Sequence, residues 1–300
     1  MISWPGGSDK LDFSLFLGCA IPFQESNYEL SARKVMGELG VNLENIPGAA
    51  CCGHEIEQVD RDAYMVWAAR NLCIAEEMDL DIAVLCPSCF LTLKTVDQTL
   101  KNDPKKKVYV NDILKDIGME FKGTKEVRYW VQILLDDVGM DRMRELISPD
   151  FKGARLAVHY GCHILRPSKV LNFDDPIRPR NIDDLVELTG GTSVDYVDKT
   201  MCCGMPTLTS DMKVGLGIAR SKLDNVRKVN ADAMVTSCPI CHMMFDSNQP
   251  WIEKTFDEKY GIPVLHLSQL LGLAMGFDYK ELGLDRNTVD TKSIIKLKKS

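Results

Sequence analysis

The 300-residue sequence has no apolar run long enough to cross a membrane and no surplus of positive charge. The stretch from Ile82 to Leu85 is far shorter than the roughly 20 residues that a membrane-spanning helix needs. The net charge of −7 argues against nucleic acid as a partner, because phosphate binding needs a basic surface. Residues 1–7 lack the basic-then-apolar layout of a signal peptide. We therefore expect a cytoplasmic protein without a membrane span.

Two cofactor-binding motifs are also missing from the sequence. It contains no Cys-x2-Cys-x2-Cys-x3-Cys run of the ferredoxin type, and no Gly-x-Gly-x-x-Gly that follows a strand. We therefore expect neither a relay of cubane clusters nor a flavin site in this chain.

Cysteine, in contrast, is plentiful and is arranged in two copies of one pattern. Each copy has a Gly-Cys pair, then Cys-Cys-Gly, then Cys-Pro-x-Cys, and together they contain ten of the eleven cysteines. In a reducing cytosol, such cysteines are more often metal ligands or redox groups than disulfides. The repetition predicts one metal centre in each half. The cysteines are Cys19, Cys51, Cys52, Cys86 and Cys89 in the first copy, and Cys162, Cys202, Cys203, Cys238 and Cys241 in the second.

The pattern of apolar residues around these motifs repeats as well. In each half, short apolar strands end at the first cysteine and at Cys-Pro-x-Cys, and helical stretches lie between them. This alternation predicts an α/β fold made of two pseudo-repeated domains with short parallel sheets, residues 1–148 and 149–300. The predicted strands are 13–17, 81–85, 156–160 and 232–236, and the predicted helices are 25–39, 60–78, 182–188 and 208–229.

Two further segments complete the predicted organisation. We expect a third matching pair of strands at 108–110 and 264–267, each followed by a helix that begins with a polar residue. Residues 123–148 are predicted to form a polar helical bridge at the end of the first domain.

The number and spacing of the cysteines bear on the choice of metal. Each Cys-Pro-x-Cys is expected to open a helix, whose free N–H groups favour anionic ligands. Gly53 and Gly204 let the backbone turn tightly beside the paired cysteines. Structural zinc and a cubane [4Fe–4S] cluster take four protein ligands, whereas each half offers five thiolates. The count favours an iron–sulfur cluster of unusual shape, with zinc in one half as an alternative.

The repeated motif resembles the cysteine-rich CCG domain, and two copies at this length resemble the family of B subunits of the heterodisulfide reductase of methanogenic archaea. The resemblance implies a noncubane [4Fe–4S] cluster in each half, bound by the five cysteines named for that half. It also implies reduction of the mixed disulfide of coenzymes M and B, with one electron from each cluster. The implied partners are a ferredoxin-like C subunit and, through it, the flavin-containing A subunit with a hydrogenase or formate dehydrogenase.

Several residues next to the cysteines are weaker candidates for chemistry. His54, His163 and His242 each adjoin a cysteine motif and could donate a proton, although a packing role is as good an interpretation for each. Three basic residues of the second half could bind a substrate anion, or could simply be solvated. They are Arg166, Lys169 and Lys199.

The remaining notable residues have structural interpretations. His159 and His266 fall in predicted strands and are expected in the core or at a helix cap. Cys73, which has no counterpart in the second half, is interpreted as a buried structural thiol. The basic segment 292–299 is interpreted as a solvated tail rather than a docking arm.

Two other functions fit the motif less well. One is an electron-transfer subunit of another oxidoreductase, of the thiol:fumarate, succinate, lactate or glycolate type. The other is a non-catalytic metal-bound scaffold, for which four ligands in each half would suffice.

Overall fold

The computed structural model describes residues 11 to 298. Residues 1–7, on which the expectation about a signal peptide depends, and Lys299 of the basic segment lie outside the described residues.

The described chain forms two parallel four-stranded sheets with the same topology. The strands are β1 Leu11–Phe16, β2 Val41–Asn45, β3 Asp81–Val84, β4 Val127–Tyr129, β5 Arg155–His159, β6 Thr192–Ser193, β7 Ala233–Thr236 and β8 Val264–His266. Their order is β2-β1-β3-β4 in the first sheet and β6-β5-β7-β8 in the second. In register, Leu15 of β1 pairs with Ala83 of β3, as Val158 of β5 pairs with Val235 of β7. The predicted α/β fold with two pseudo-repeated units is confirmed.

Helices connect the strands and cover the sheets. The α-helices are α1 Ala20–Gln24, α2 Ser26–Glu38, α3 Arg61–Glu77, α4 Pro87–Asn102, α5 Pro104–Leu114, α6 Trp130–Gln132, α7 Met140–Leu146, α8 Ser168–Leu171, α9 Asn181–Leu188, α10 Met212–Lys228, α11 Pro239–Phe245, α12 Gln249–Phe256, α13 Leu267–Ala274 and α14 Lys292–Leu297. The four helices predicted from the sequence are present with shifted ends, as α2, α3, α9 and α10. Short 3-10 helices follow both Cys-Cys-Gly motifs, at His54–Ile56 and Met205–Thr209.

The strand predicted at residues 108–110 is wrong, because these residues lie within α5. Asp103 caps this helix by accepting hydrogen bonds from the N–H groups of Lys105 and Lys106, and Pro104 occupies its first turn. This capping sequence outweighs the strand preference of a short apolar triplet.

The true counterpart of β8 is β4, which lies in the segment predicted to be a helical bridge. Both strands end at the N-cap of a helix, and the cap is built in the same way. The side chain of Gln132 accepts from Tyr129 N at 3.1 Å, and Gln269 accepts from His266 N at 3.0 Å. Beyond β4 the segment is helical, including a π-helix at Ile133–Val138. The predicted helical bridge is therefore correct only after residue 129.

The two halves are joined by shared packing. One continuous apolar core contains residues of both sheets, with Phe16, Leu85 and Trp130 from the first half and Leu265 and Leu270 from the second fully buried in it.

The segment after α13 returns to the first half of the chain. There the Asn27 amide donates to the Asn287 side chain at 3.0 Å, and Lys34 pairs with Glu281 at 2.8 Å. These polar contacts add to the shared core in holding the halves together.

The basic segment near the carboxyl terminus is not a solvated tail as far as the structure describes it. It forms α14, whose Ile294 is fully buried in the common core. Lys298 lies 3.9 Å from the Asp150 carboxylate. None of the helices in residues 11–298 combines the length and the apolar character that crossing a membrane requires.

Candidate metal centres

The ten repeated cysteines lie beyond the carboxyl ends of three strands in each sheet. Cys19 follows β1 and Cys86 follows β3, while Cys162 and Cys238 follow β5 and β7 in the second sheet. The carboxyl ends of neighbouring parallel strands meet at one edge of a sheet, so loops from separate parts of the chain converge there. This topology collects each half's cysteines into one site.

In the first half, the five thiols form a continuous chain of neighbours. Cys19 Sγ lies 3.8 Å from Cys51 Sγ. Hydrogen bonds from Cys19, from Cys52 and from the Gly53 N–H hold the pKa of Cys51 well below its usual range. A hydrogen bond with Cys89 in turn acts to lower the pKa of Cys52 and that of Cys86. All five sulfurs of the first copy are thus within reach of one compact bound group.

The second half repeats this arrangement with its own five thiols. The neighbours follow in the same order, from Cys162 to Cys202, Cys203, Cys241 and Cys238. Here too the second thiol of the chain, Cys202, has its pKa lowered by its two neighbours and by a backbone N–H. The two sites are equivalent in their donors and differ in exposure, because Cys19 is exposed and Cys162 is half-buried.

Each Cys-Pro-x-Cys motif begins a helix, as the sequence predicted. Cys86 is the N-cap of α4 and Cys238 is the N-cap of α11, with the proline in the first turn of each helix. The Cys89 thiol, together with the N–H groups of Cys89 and Ser88, lowers the pKa of Cys86 although burial opposes the charge. The start of α4 therefore stabilises a thiolate at this position.

Glycines without a Cβ make room beside the sulfurs. A Cβ built on Gly18 would lie 2.8 Å from Cys89 Sγ, and one on Gly161 would lie 3.4 Å from Cys241 Sγ. Both residues have positive φ angles, +69° and +76°, which side chains rarely adopt. Neither glycine is among the site residues predicted from the sequence. The signal was present, because a glycine precedes the first cysteine in both halves.

Gly53 and Gly204, which were singled out from the sequence, follow the paired cysteines. Their φ angles are +87° and +94°. The Gly53 N–H lies 3.5 Å from Cys51 Sγ, and the Gly204 N–H lies 3.4 Å from Cys202 Sγ. Each glycine turns the backbone so that an N–H group faces the second thiol in its site's chain of neighbours.

The first-half and second-half cysteine sites adjoin each other where the two halves of the chain pack together. His54 and His163 come together edge to face with ring centroids 4.7 Å apart, and His163 Nδ1 lies 2.8 Å from Ser88 Oγ. Burial, and then the neighbouring His54, lower the pKa of His163. A pocket at the second site is lined partly by the first site's motif. Its lining includes Pro87, Ser88, His163 and the second-half cysteines Cys162, Cys202, Cys203, Cys238 and Cys241.

His242, the third histidine candidate, has a different environment from the other two. Its ring is buried, with Nδ1 2.9 Å from the Glu25 carboxylate and Nε2 3.2 Å from Val264 O. His266 also contacts Glu25, at 2.9 Å, and stacks on His242. His159 is fully buried. His159 and His266 are therefore core residues, and His242 contributes to a buried contact between the two halves.

The basic candidates are mostly occupied by other partners. Lys199 pairs with Asp183 at 2.5 Å and with Asp195 at 3.1 Å. Arg166 donates to the carbonyls of Thr200 and Pro176. No contact of this kind involves Lys169 among the described residues.

Cys73, the eleventh cysteine, lies apart from both sites. It is buried in α3, and burial raises the pKa of its thiol to about 12. This environment agrees with a structural role.

The fold and the sites define a duplicated α/β protein in which each half holds five thiols in one chain of neighbours. This donor set fits an iron–sulfur cluster. The sulfurs are contiguous, thiolates are the ligands such clusters use, and glycines leave space where a side chain would intrude.

The cysteine-rich CCG domain family matches residues 13–94 and 156–246, and the chain belongs to that family. It is 38% identical over 280 residues to the B subunit of ferredoxin:CoB-CoM heterodisulfide reductase from Methanosarcina mazei, covering 92% of this chain and 93% of that one. It is 34% identical over 288 residues to the 8-methylmenaquinol:fumarate reductase membrane anchor subunit of Wolinella succinogenes, covering 94% and 99%.

A solved structure shares the fold. The crystal structure of a hypothetical protein from Helicobacter pylori superposes with a TM-score of 0.75 at 16% identity. The match covers 94% of this chain and 54% of that chain. At this identity the likeness concerns the fold alone.

Proposed function

We propose that this chain is the catalytic subunit of a CoB–CoM heterodisulfide reductase, with the ten repeated cysteines as ligands of two noncubane [4Fe–4S] clusters. The observation that carries the proposal is the meeting of the two sites. The pocket at the second site is lined by Pro87 and Ser88 of the first site's Cys-Pro-Ser-Cys motif. A substrate there would contact both halves. The similarity to the B subunit of a heterodisulfide reductase over nine-tenths of the chain supports the same assignment.

The reaction suits a duplicated site. A disulfide takes up two electrons and two protons, its S–S bond breaks, and two thiols form. The clusters, when bound, would supply these electrons one at a time. Because the two ends of a disulfide are chemically alike, two equivalent five-cysteine sites can serve one sulfur each. In methanogenesis such a reduction would regenerate the two thiol coenzymes.

His163 and His54 are the side chains we propose as proton donors to the departing sulfurs. Both rings lie where the sites meet. A histidine donates a proton as the imidazolium, and because burial and the neighbouring His54 lower the pKa of His163, that ring would readily give up a proton acquired during turnover. Ser88 holds the His163 ring from Nδ1, which leaves Nε2 as the donating atom. His242 is not proposed for this step, because Glu25 and Val264 occupy both of its nitrogens.

The electrons would come from a partner. The relatives are named as subunits of larger enzymes, one of them as a ferredoxin-dependent enzyme. We therefore propose a ferredoxin-like partner subunit as the direct donor. It would be supplied by a flavin-containing subunit with a hydrogenase or formate dehydrogenase, in the cytoplasm.

The test is metal content and turnover of anaerobically purified protein. We expect about eight irons and about eight sulfides per chain, and reduction of the CoB–CoM disulfide by a strong artificial donor. Cys52→Ser and Cys203→Ser should each abolish turnover, whereas Cys73→Ser, away from both sites, should retain iron and activity. One zinc and four irons per chain, or near-normal turnover by either site variant, would overturn the proposal.

A second candidate function follows from the Wolinella relative, which matches 94% of the chain. In this alternative the chain would pass electrons between a quinol and a fumarate-reducing flavoprotein. Fully loaded protein that reduces such a partner but not the disulfide would favour it.

A further inference from the structure

A lysine is buried beside the second site. Lys222 of α10 is only 2% exposed, which is rare for a lysine without an ion-pair partner. Its Nζ donates to the carbonyl of Asp198, and the described chain offers it no carboxylate in an ion pair. The Asp198 carboxylate is instead engaged by the Asn225 amide at 3.2 Å. Lys222 thus places an ammonium in the interior of the second half.

The helix that carries Lys222 packs against the turn that follows the paired cysteines of the second site, where a Cβ built on Gly204 would lie 2.5 Å from the Gly215 carbonyl oxygen. Cys241, Cys203 and Cys202 all raise the pKa of Lys222, as does Asp198, while burial lowers it to about 8. His159, which lies next to Cys202, has its pKa lowered by burial and then by Lys222. The positive charge therefore acts on the second site and its surroundings.

The first half has a neutral residue at the matching place. The helices α3 and α10 have the same length and begin after equivalent aspartate caps, Asp60 and Asp211. In this alignment Lys222 corresponds to Asn71, which is equally buried. Asn71 donates its amide to Cys51 O at 3.2 Å and accepts from Ala50 N at 3.0 Å. Asn71 thus contacts the paired cysteines of the first half, and Lys222 holds the equivalent place in the second half but carries a charge.

We propose that Lys222 raises the reduction potential of the cluster held by the second site above that of the first. The inference rests on the proposed function, which puts one cluster in each half. A buried positive charge stabilises the additional negative charge of a reduced group, and weak screening strengthens the effect. An electron delivered by an iron–sulfur donor protein would then pass from the first site, which is oxidised again, to the second, which stays reduced. The exposed Cys19 makes the first site more accessible to such a donor than the second, where Cys162 is half-buried.

The test is a redox titration of the anaerobic holoprotein, followed by the spin signals of the two clusters. Lys222→Met keeps the length of the side chain and removes its charge. At a fixed potential, we expect the ratio of reduced to oxidised form to fall at least tenfold for one cluster. For a one-electron couple this corresponds to a drop of about 59 mV in its reduction potential. The other cluster's ratio should not change. Lys222→Arg should retain the wild-type titration, as should the matched control Lys213→Gln on the exposed face of the same helix.

Unchanged ratios for both clusters in Lys222→Met, or equal changes in both, would overturn the inference. If Lys222→Met loses its iron, Lys222→Gln provides the same test with a polar side chain. The outcome is separable from that of the proposed function. If Lys222→Met changes the redox ratio of one cluster only, but the protein does not reduce the disulfide, only the catalytic assignment is contradicted. If the protein reduces the disulfide but Lys222→Met leaves both reduction potentials unchanged, only the role of Lys222 is contradicted.

Discussion

The hydroxyl of Tyr28 lies 2.7 Å from the carbonyl oxygen of Ser237, the residue immediately before Cys238 in the opposite half. The same hydroxyl is 3.0 Å from the carbonyl of Leu85, which immediately precedes Cys86. Tyr129 reaches the Ser237 carbonyl as well, at 2.6 Å. A buried hydroxyl thus links the starts of the two Cys-Pro-x-Cys motifs and sets their separation.

We expect Tyr28→Phe to destabilise the protein, because it leaves a buried carbonyl short of a donor. The cost is about 1–3 kcal/mol, which lowers the midpoint of thermal unfolding by a few degrees for units of this size. Thermal scans at one heating rate would measure it, with Tyr109→Phe as the exposed control. Equal midpoints for the two variants would contradict a linking role for Tyr28.

Gly18→Ala should prevent loading of the first site. The new Cβ would lie 2.8 Å from Cys89 Sγ, and the residue would be strained at a φ of +69°. Gly118→Ala is the matched control, because its φ is +74° but its Cβ would meet nothing within 4 Å. Iron analysis should show about half the wild-type iron in Gly18→Ala and the full amount in Gly118→Ala. The steric interpretation fails if both variants bind the same amount of iron.

Replacing His163 should slow disulfide reduction without removing iron. Loss of a general acid costs a factor of about 100 to 10,000 in rate, so we expect His163→Gln to lose at least about 100-fold in kcat. Ser88→Ala, which retains the ring but not its hydrogen bond, should lose less. Steady-state kinetics with iron content measured in parallel would check this. A threefold or smaller loss in His163→Gln would exclude a proton-donating role.

Glu25→Gln should be among the most destabilising single substitutions. The Glu25 carboxylate is 1% exposed and lies 2.9 Å from nitrogens of both His242 and His266. Burial alone would raise its pKa, but the two histidines lower it to about 2. Breaking such a buried pair costs about 3–5 kcal/mol, and thermal unfolding would report the loss. Glu281→Gln, in an exposed pair with Lys34, should cost less than about 1 kcal/mol, and a similar cost for both would refute the argument.

The features of the site that the sequence predicts are those that depend on the spacing of residues close together in the chain. The repeated cysteines, the helix starts at Pro87 and Pro239 and the strands before them all depend on neighbouring residues. The strand predicted at residues 108–110 is wrong for a local reason too, because Asp103 and Pro104 cap and begin the helix α5 that contains them. The same strand end and glutamine cap occur at Tyr129 and His266, and this repetition identifies β4 as the counterpart of β8.

The sequence by itself determined the duplication, the α/β class and the two five-cysteine sets, because motif order and apolar periodicity are properties of short segments. Only the tertiary structure decided that His54 meets His163, that His242 turns toward Glu25, and that Lys222 lies beside the second site's thiols. These contacts join residues from different loops and halves. Their partners are chosen by how the two sheets pack on one another, which no local pattern records.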